Sequence, residues 1–214
     1  KAIFENNGKK ISKKKLAELS CDIEINKLKA PIGKQDQFIS SYGGLKSMTF
    51  NKNHAVSIKD LKISKKKIST LEKKLVLYFT NFKRDANDIL KNQDDKSKEG
   101  DKAIIENLNT VKIMGKRIEN ILEKGDLDSF GKIMNEHWEI KKKRSNNMSN
   151  SFINNVYSLG LKSGALGGKL VGAGGGGFIL FYTNNKKKLK KNMSKLKLRE
   201  IPFKFDFTGT VVLK

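Results

Sequence analysis

Apolar positions along the chain follow two periods, one of helices and one of strands. Leu16, Leu19, Ile23 and Leu28 recur at helical spacing behind Ser12, whose hydroxyl suits a helix cap. Pro31 limits that helix, because the residue before a proline avoids helical geometry. "GKQDQFISSYGG" predicts a short helix closed by Gly43 and Gly44. "LKSMTF" and "HAVSIK" alternate and predict a pair of short strands. "KKLVLYFT" is a compact apolar run of the kind found in a buried strand.

Helical spacing then dominates. "RDANDILKNQ" fits a helix, and "KNQDDKSKEGDK" fits an exposed loop. From about Lys98 to Glu123 a long amphipathic helix is marked by Ile104, Ile105, Leu108, Val111, Met114, Ile118, Ile121 and Leu122. "DLDSFGKIMNEHWEIKKKRS" is another helix, with Asp126 or Asp128 near its start and lysines at its end, as the macrodipole favours. "NSFINNVYSLG" reads as a helix stopped by Gly160. "FILFYT" is a strand, "KKKLKKNMSKL" a helix, and "REIPFKFDF" and "TGTVVL" closing strands. The order strand, helices, strand, helix, strand predicts an α+β layer, an antiparallel or mixed sheet with helices on one face.

Composition narrows the class. The chain has 214 residues, 37% hydrophobic and 31% charged, enough for a core in one large or two small domains. It has no apolar run of 18 residues and no apolar h-region behind its basic start, so neither a membrane helix nor a signal peptide is expected. The single cysteine, Cys21, excludes an internal disulfide and reads as a small core residue, which points to a cytoplasmic setting. The net charge of +23 raises a polyanion-binding reading. That charge is almost all lysine, spread over every segment. The only arginines are Arg84, Arg117, Arg144 and Arg199, and aromatic residues do not interleave with basic ones as stacking platforms would. A solvated lysine surface, or a basic cleft for an anionic substrate, fits better than a nucleic-acid partner. His54 and His137 lie far apart with no cysteine or acid at metal spacing, so no zinc site is expected, and His137 beside Trp138 should pack on a helix.

Two segments carry candidate chemistry. "GGKLVGAGGGGFILFY" contains Gly172, Gly174 and Gly177 at the G-x-G-x-x-G spacing. A dinucleotide fingerprint needs a helix after the glycines, and here a strand follows. A P-loop needs Gly-Lys-Ser/Thr opening a helix, and "GGKL" lacks the hydroxyl. Four consecutive glycines exceed what a hairpin turn requires. They suit close backbone approach to a ligand or to another backbone. The second segment, "CDIEINKLKAPIGKQDQFISSYGG", places Glu24 twelve residues before Asp36. Asp36 near a helix start is ordinarily a cap. With Lys34 and Tyr42-Gly43-Gly44 it also makes a phosphoryl-transfer set. Glu24 would hold Mg²⁺, Asp36 would take a hydroxyl proton, and Lys34 would neutralise developing charge.

"PIGKQDQFISSYGGL" together with "GALGGKLVGAGGGGFILFY" resembles the galactokinase, homoserine kinase, mevalonate kinase and phosphomevalonate kinase (GHMP) superfamily, and within it the D-glycero-D-manno-heptose 7-phosphate kinase branch. "LYFTNFKRDANDIL", "GDLDSFGKIMNEHWEIKK" and "REIPFKFDFTGTVV" extend the likeness over nearly the whole chain. The resemblance implies a GHMP kinase fold: residues 1–70 as part of a ribosomal-S5-domain-2-like amino-terminal lobe, and 71–214 as a ferredoxin-like carboxy-terminal lobe with added helices. It implies Asp36 as catalytic aspartate, Glu24 as magnesium ligand, and Gly172, Ala173, Gly174, Gly175, Gly176 and Gly177 as the glycine loop beside the nucleotide phosphates. Gln37, Tyr42 and Gly43 would line the sugar pocket. Arg84, in "NFKRDAN", carries a guanidinium that suits the substrate's own phosphate, or else sits at a solvent-exposed helix start. The implied reaction is transfer from Mg-ATP to a sugar or sugar phosphate, the acceptor being the anomeric hydroxyl of a heptose 7-phosphate, or galactose or fucose. Neither the first family motif nor the P-x-x-x-G-L-G-S-S-like phosphate loop is present. "KAIFENNG" reads as the end of a helix already under way, so the chain is expected to correspond to the carboxy-terminal two-thirds of such a kinase and to be inactive alone.

Overall fold

The structure, a computed structural model, describes residues 1–82, 86–145 and 148–213. The chain forms two compact units, residues 1–61 with 204–214, and residues 62–203. The boundary drawn from sequence after residue 70 would cut a helix, Lys65–Lys74, and would assign the tail 204–214 to the other unit.

The first unit contains helices α1 (Ala2–Asn6), α2 (Lys13–Cys21) and α3 (Gln35–Tyr42) and the hairpin β1 (Lys46–Phe50) and β2 (Val56–Asp60). Ser12 caps α2 as expected, its hydroxyl accepting from the Lys15 amide at 3.2 Å. A π-helical turn over Asp22–Lys27 continues α2 before the chain reaches Pro31. α3 ends where Gly43 takes φ 70°, a backbone region that glycine enters without penalty. A small core forms from Ala17, Cys21 and Phe38, with Ile25, Tyr42, Met48, Val56 and Ile58 packed against it. Burial pushes the Cys21 thiol up from its ordinary value, in keeping with a core role.

The tail 204–214 returns to α3. Asp206 closes a tight turn: its Oδ1 accepts from the Thr208 amide at 2.9 Å and the hydroxyl at 2.6 Å, and its Oδ2 from the Gly209 amide at 3.0 Å. These bonds hold the carboxyl below its usual range. A Cβ at Gly43 would stand 2.5 Å from the Gly209 nitrogen, so two glycine backbones meet here.

The second unit carries α4 (Lys65–Lys74), β3 (Leu75–Phe79), α5 (Ala86–Lys98), α6 (Lys102–Lys124), α7 (Leu127–Lys142), α8 (Ser151–Lys162), β4 (Ala165–Val171), β5 (Phe178–Thr183), α9 (Lys186–Ser194) and β6 (Arg199–Glu200). The sheet order is β4-β5-β3-β6, all antiparallel. Strand, helices, two strands, helix and strand in that order form the β-α-β-β-α-β ferredoxin-like arrangement, with extra helices in the first crossover. Val76, Tyr78, Trp138, Ile153, Leu170 and Phe181 belong to its core. Phe181 meets α8 at Gly160, while the next residue, Tyr182, meets α7 at Gly131. Successive strand residues face opposite sides, so helices touch both faces of this sheet, not one.

Four expectations change. α5 runs to Lys98, through most of the segment read as an exposed loop. α8 continues past Gly160, which is a packing residue and not a stop. α4 and β4 were not anticipated. The closing strands shrink to Arg199–Glu200, because the residues beyond 203 join the first unit.

Candidate functional site

Within the first unit, the π-helical turn and the start of α3 bring Glu24, Asp36 and Gln37 to one cleft of about 490 Å³. Ser20, Ser40 and Thr210 line it too. Asp36 occupies the first turn of α3, where the helix dipole favours a carboxylate, and it is exposed. Gln37 is 8% exposed, and its Oε1 is buried with no hydrogen-bond partner. A buried acceptor left unpaired is costly and marks a place where a ligand group or water is to be met.

Glu24 and Asp36 give this cleft carboxylate oxygens, a donor type that fits a hard cation such as Mg²⁺. That ion characteristically takes one or two carboxylates and completes its shell with water and substrate oxygens. Among the described residues there is no group of three or more His, Cys, Asp or Glu side chains able to hold a metal on its own.

The other candidates of this segment sit elsewhere. Lys34 Nζ donates to the His54 carbonyl at 2.9 Å. The Tyr42 ring stacks on Phe38, centroids 6.4 Å apart, and packs on the small core. Gly43 faces the Asp206–Gly209 turn. Arg84 lies outside the described residues. Ser20, Ser40 and Thr210 carry no sequence signal of their own. Thr210 could have been found only by knowing that the tail folds back, where its hydroxyl donates to the Ser40 carbonyl at 3.0 Å.

Within the second unit, the glycine run is the connection of the β4–β5 hairpin, with Val171 paired to Phe178 at its base. Gly172, Gly174, Gly175 and Gly177 all have positive φ. Two strips of backbone hold the loop. The Gly175 amide donates to Met148 O at 3.0 Å, and the Gly177 amide to Phe82 O at 2.8 Å. A Cβ at Gly176 would stand 2.6 Å from Phe82 O, and one at Gly174 would collide with Met148 Sδ. Gly172 and Gly177 have open space where a Cβ would be. Part of the glycine content therefore serves backbone packing, and part leaves the loop open to a ligand. The strand after the loop is β5, so the dinucleotide fingerprint is excluded on geometry as well as on pattern.

Lys141, in the last turn of α7 and 6% exposed, reaches the root of the loop. Its ammonium donates to Gly172 O and, at 3.4 Å, to Leu170 O. Burial, with Lys169 and Arg144 adding repulsion, lowers its pKa to about 7.

Residues 117–197, which include α7, the hairpin and its loop, match the family described as GHMP kinases C terminal. The second unit carries a GHMP kinase C-terminal domain. The D-glycero-alpha-D-manno-heptose 7-phosphate kinase of Campylobacter jejuni is 34% identical over 159 residues, 74% of this chain and 46% of that protein. A crystal structure of a D-glycero-D-manno-heptose 1-phosphate kinase from Bacteroides thetaiotaomicron is similar with a TM-score of 0.75 and 27% identity, over 98% of this chain and 57% of that one. Lactococcus lactis galactokinase, solved with galactose, has a TM-score of 0.69 at 14% identity over 94% of this chain and 61% of its own, a likeness of fold alone. The chain thus spans about half the length of the two heptose kinases. No helix among the described residues is long and apolar enough to cross a membrane.

Proposed function

We propose that the protein transfers the γ-phosphoryl group of Mg-ATP to a sugar phosphate, with the anomeric hydroxyl of D-glycero-D-manno-heptose 7-phosphate as acceptor. The observation that carries this reading is that Glu24, Asp36 and Gln37 line one cleft. The 34% identity to a heptose 7-phosphate kinase supports the choice of acceptor.

In this reading Asp36 accepts a hydrogen bond from the acceptor hydroxyl and takes its proton as the oxygen attacks the γ-phosphorus. The bond from that phosphorus to the β–γ bridging oxygen breaks, and ADP leaves. Gln37 Oε1 accepts from a neighbouring sugar hydroxyl. Lys34, two residues before Asp36 and anchored on the His54 carbonyl, adds positive potential. Glu24 is the carboxylate to hold Mg²⁺, which when bound offsets charge on the transferred phosphoryl group. The glycine loop offers backbone amides to the nucleotide phosphates without side chains in the way.

The test is ADP release by the intact protein with heptose 7-phosphate, galactose or fucose as acceptor. Asp36→Asn should lower turnover by about 10²–10⁴-fold with ATP affinity unchanged. Near-normal turnover removes Asp36 from the chemistry. Turnover on galactose or fucose but not on the heptose phosphate keeps the kinase and changes its acceptor.

A further inference from the structure

From Ile140 to Arg199 the sequence has fourteen basic residues and no Asp or Glu. Eight of the fourteen fall within Lys186–Arg199, in α9 and the segment that leads to β6. Leu189 and Met193 are both 0% exposed and belong to the core, which fixes the roll of α9. Helical periodicity then puts Lys187, Lys188, Lys190, Lys191 and Lys195 on the opposite, outward face, and all five are exposed. Lys197 and Arg199 follow in the chain, exposed as well, and Arg199 lies on β6, an outermost strand of the sheet.

Lysines of other helices have partners. Lys14 pairs with Glu18, Lys74 with Asp128, Lys98 with Asp94 and Lys142 with Glu139. Lys13 and Lys67, in the first turns of α2 and α4, donate to the Thr208 carbonyl at 2.6 Å and the Gly125 carbonyl at 2.8 Å. α9 has one counter-charge, Glu200, which Lys190 at 2.6 Å and Lys186 at 3.7 Å already share. Lys187, Lys188, Lys191, Lys195, Lys197 and Arg199 have no ion pair or side-chain hydrogen bond among the described residues. The helix carries two local penalties for this. Lys187 and Lys191 are like charges one turn apart, and three lysines fill the first turn, where the macrodipole disfavours cations. Neither serves the core, which Leu189 and Met193 reach without them. A local rule broken with no gain inside the fold points outward, to a partner.

We infer that the outer face of α9, with Lys195, Lys197 and Arg199, docks the protein on an anionic lipid bilayer. Leu189 and Met193 are held in the core, so α9 rests on the headgroups and inserts no apolar side chain. The attraction is that of ammonium groups on flexible stems for a plane of negative charge, roughly a fivefold gain in partition for each cation near the surface. A nucleic acid is a poorer match. No aromatic residue occurs from Asn184 to Pro202 to stack a base. One arginine among eight cations gives little of the planar fork that phosphates and base edges select. An acidic helix needs apolar anchor points beside the charges, and the inward apolar residues of α9 are enclosed. None of these basic residues lines the cleft of Glu24 and Asp36, and the inference does not rest on the kinase reading.

The test is co-sedimentation of the intact protein with vesicles of phosphatidylcholine alone or of equimolar phosphatidylcholine and phosphatidylglycerol. The protein should pellet with the anionic vesicles only and should be released as sodium chloride is raised. Lys187→Glu with Lys191→Glu should weaken the partition at least about tenfold. Lys112→Glu with Lys116→Glu, at exposed positions of α6, changes the net charge equally and should weaken it by less than about threefold. Lys187→Gln with Lys191→Gln adds no acid to α9, which guards against unfolding, and should give an intermediate loss. The inference is overturned if the protein pellets equally with both vesicles or with neither. It is overturned too if the α6 and α9 pairs lose binding alike, which reduces the effect to net charge. Retention of an RNA oligonucleotide that the α9 pair abolishes, without vesicle binding, overturns it and gives the surface to nucleic acid. Asp36→Asn should lose transfer and keep vesicle binding, so the two readings fail separately.

Discussion

Two glycines in helices of the second unit should answer the same substitution with opposite signs. Gly115 lies in α6 with nothing within 4 Å of a built Cβ, and it is exposed. Alanine there gains only helix propensity, about 1 kcal/mol. Gly160 lies in α8, and its built Cβ stands 2.5 Å from Phe181 Cζ and 3.0 Å from Cδ1. Comfortable carbon contacts begin near 3.5 Å, so the ring must retreat by roughly 1 Å. It has nowhere to go. Phe181 is 0% exposed and packed against Tyr157 at 5.8 Å and Tyr78 at 6.4 Å between centroids. Overpacking of this kind costs about 1–3 kcal/mol, and more when neighbours are fixed. Set against about 1 kcal/mol of propensity, the balance at Gly160 is a net loss of up to about 2 kcal/mol, and more with its neighbours fixed. Thermal melting followed by circular dichroism reads the difference, at about 2–4 °C per kcal/mol for a chain of this size. Gly115→Ala should melt higher than the parent and Gly160→Ala lower. If Gly160→Ala also melts higher, α8 does not lie against Phe181 as described.

Two further outcomes follow from Lys141 and the tail. Lys141 has an ordinary pKa of 10.5 and a folded one of about 7, lowered by burial first and then by Lys169 on β4 and Arg144 just beyond the end of α7. Between those values the unfolded chain binds more protons, so stability should rise with pH, by roughly 2–3 kcal/mol from pH 7 to 9. Urea midpoints at the two pH values measure this, and Lys141→Met should flatten the rise. A Cβ at Gly43 would meet the Gly209 nitrogen, so Gly43→Ala should loosen the tail. The exchange rate of the Gly44 amide, which donates to Asp206 O at 2.7 Å, should increase well over tenfold, and an unchanged rate would refute that packing.

What could be read from sequence follows a physical line. Local signals were legible: the Ser12 cap, the Gly43 stop, the long apolar stripe of α6, and the aromatic strand after the glycine run. So was the pairing of Glu24 with Asp36, because one local turn and one helix start bring them together. Signals that depend on distant partners were not. Gly160 looks like a helix stop until Phe181 is placed beside it. β4 hides because two of its residues, Gly167 and Gly168, are glycines that admit the α7 backbone and the β5 backbone to close contact. α4 hides because lysines outnumber its apolar contacts, although Ser64 caps it through the Lys67 amide at 3.3 Å. Lys141 is invisible in a chain with lysine everywhere, since only burial separates it from the solvated remainder.

The return of residues 204–214 to α3 has a consequence for biosynthesis. The ribosome releases residues 62–203 as one uninterrupted stretch, so that unit can close as soon as it clears the exit tunnel. Its predecessor in the chain must wait. Until residues 204–210 emerge, Ser40 has no Thr210 hydroxyl to receive and Gly44 no Asp206 carbonyl to meet. The first unit can therefore complete its contacts only after the second has been made, and the helix that carries Asp36 gains the backbone contacts of residues 204–210 last.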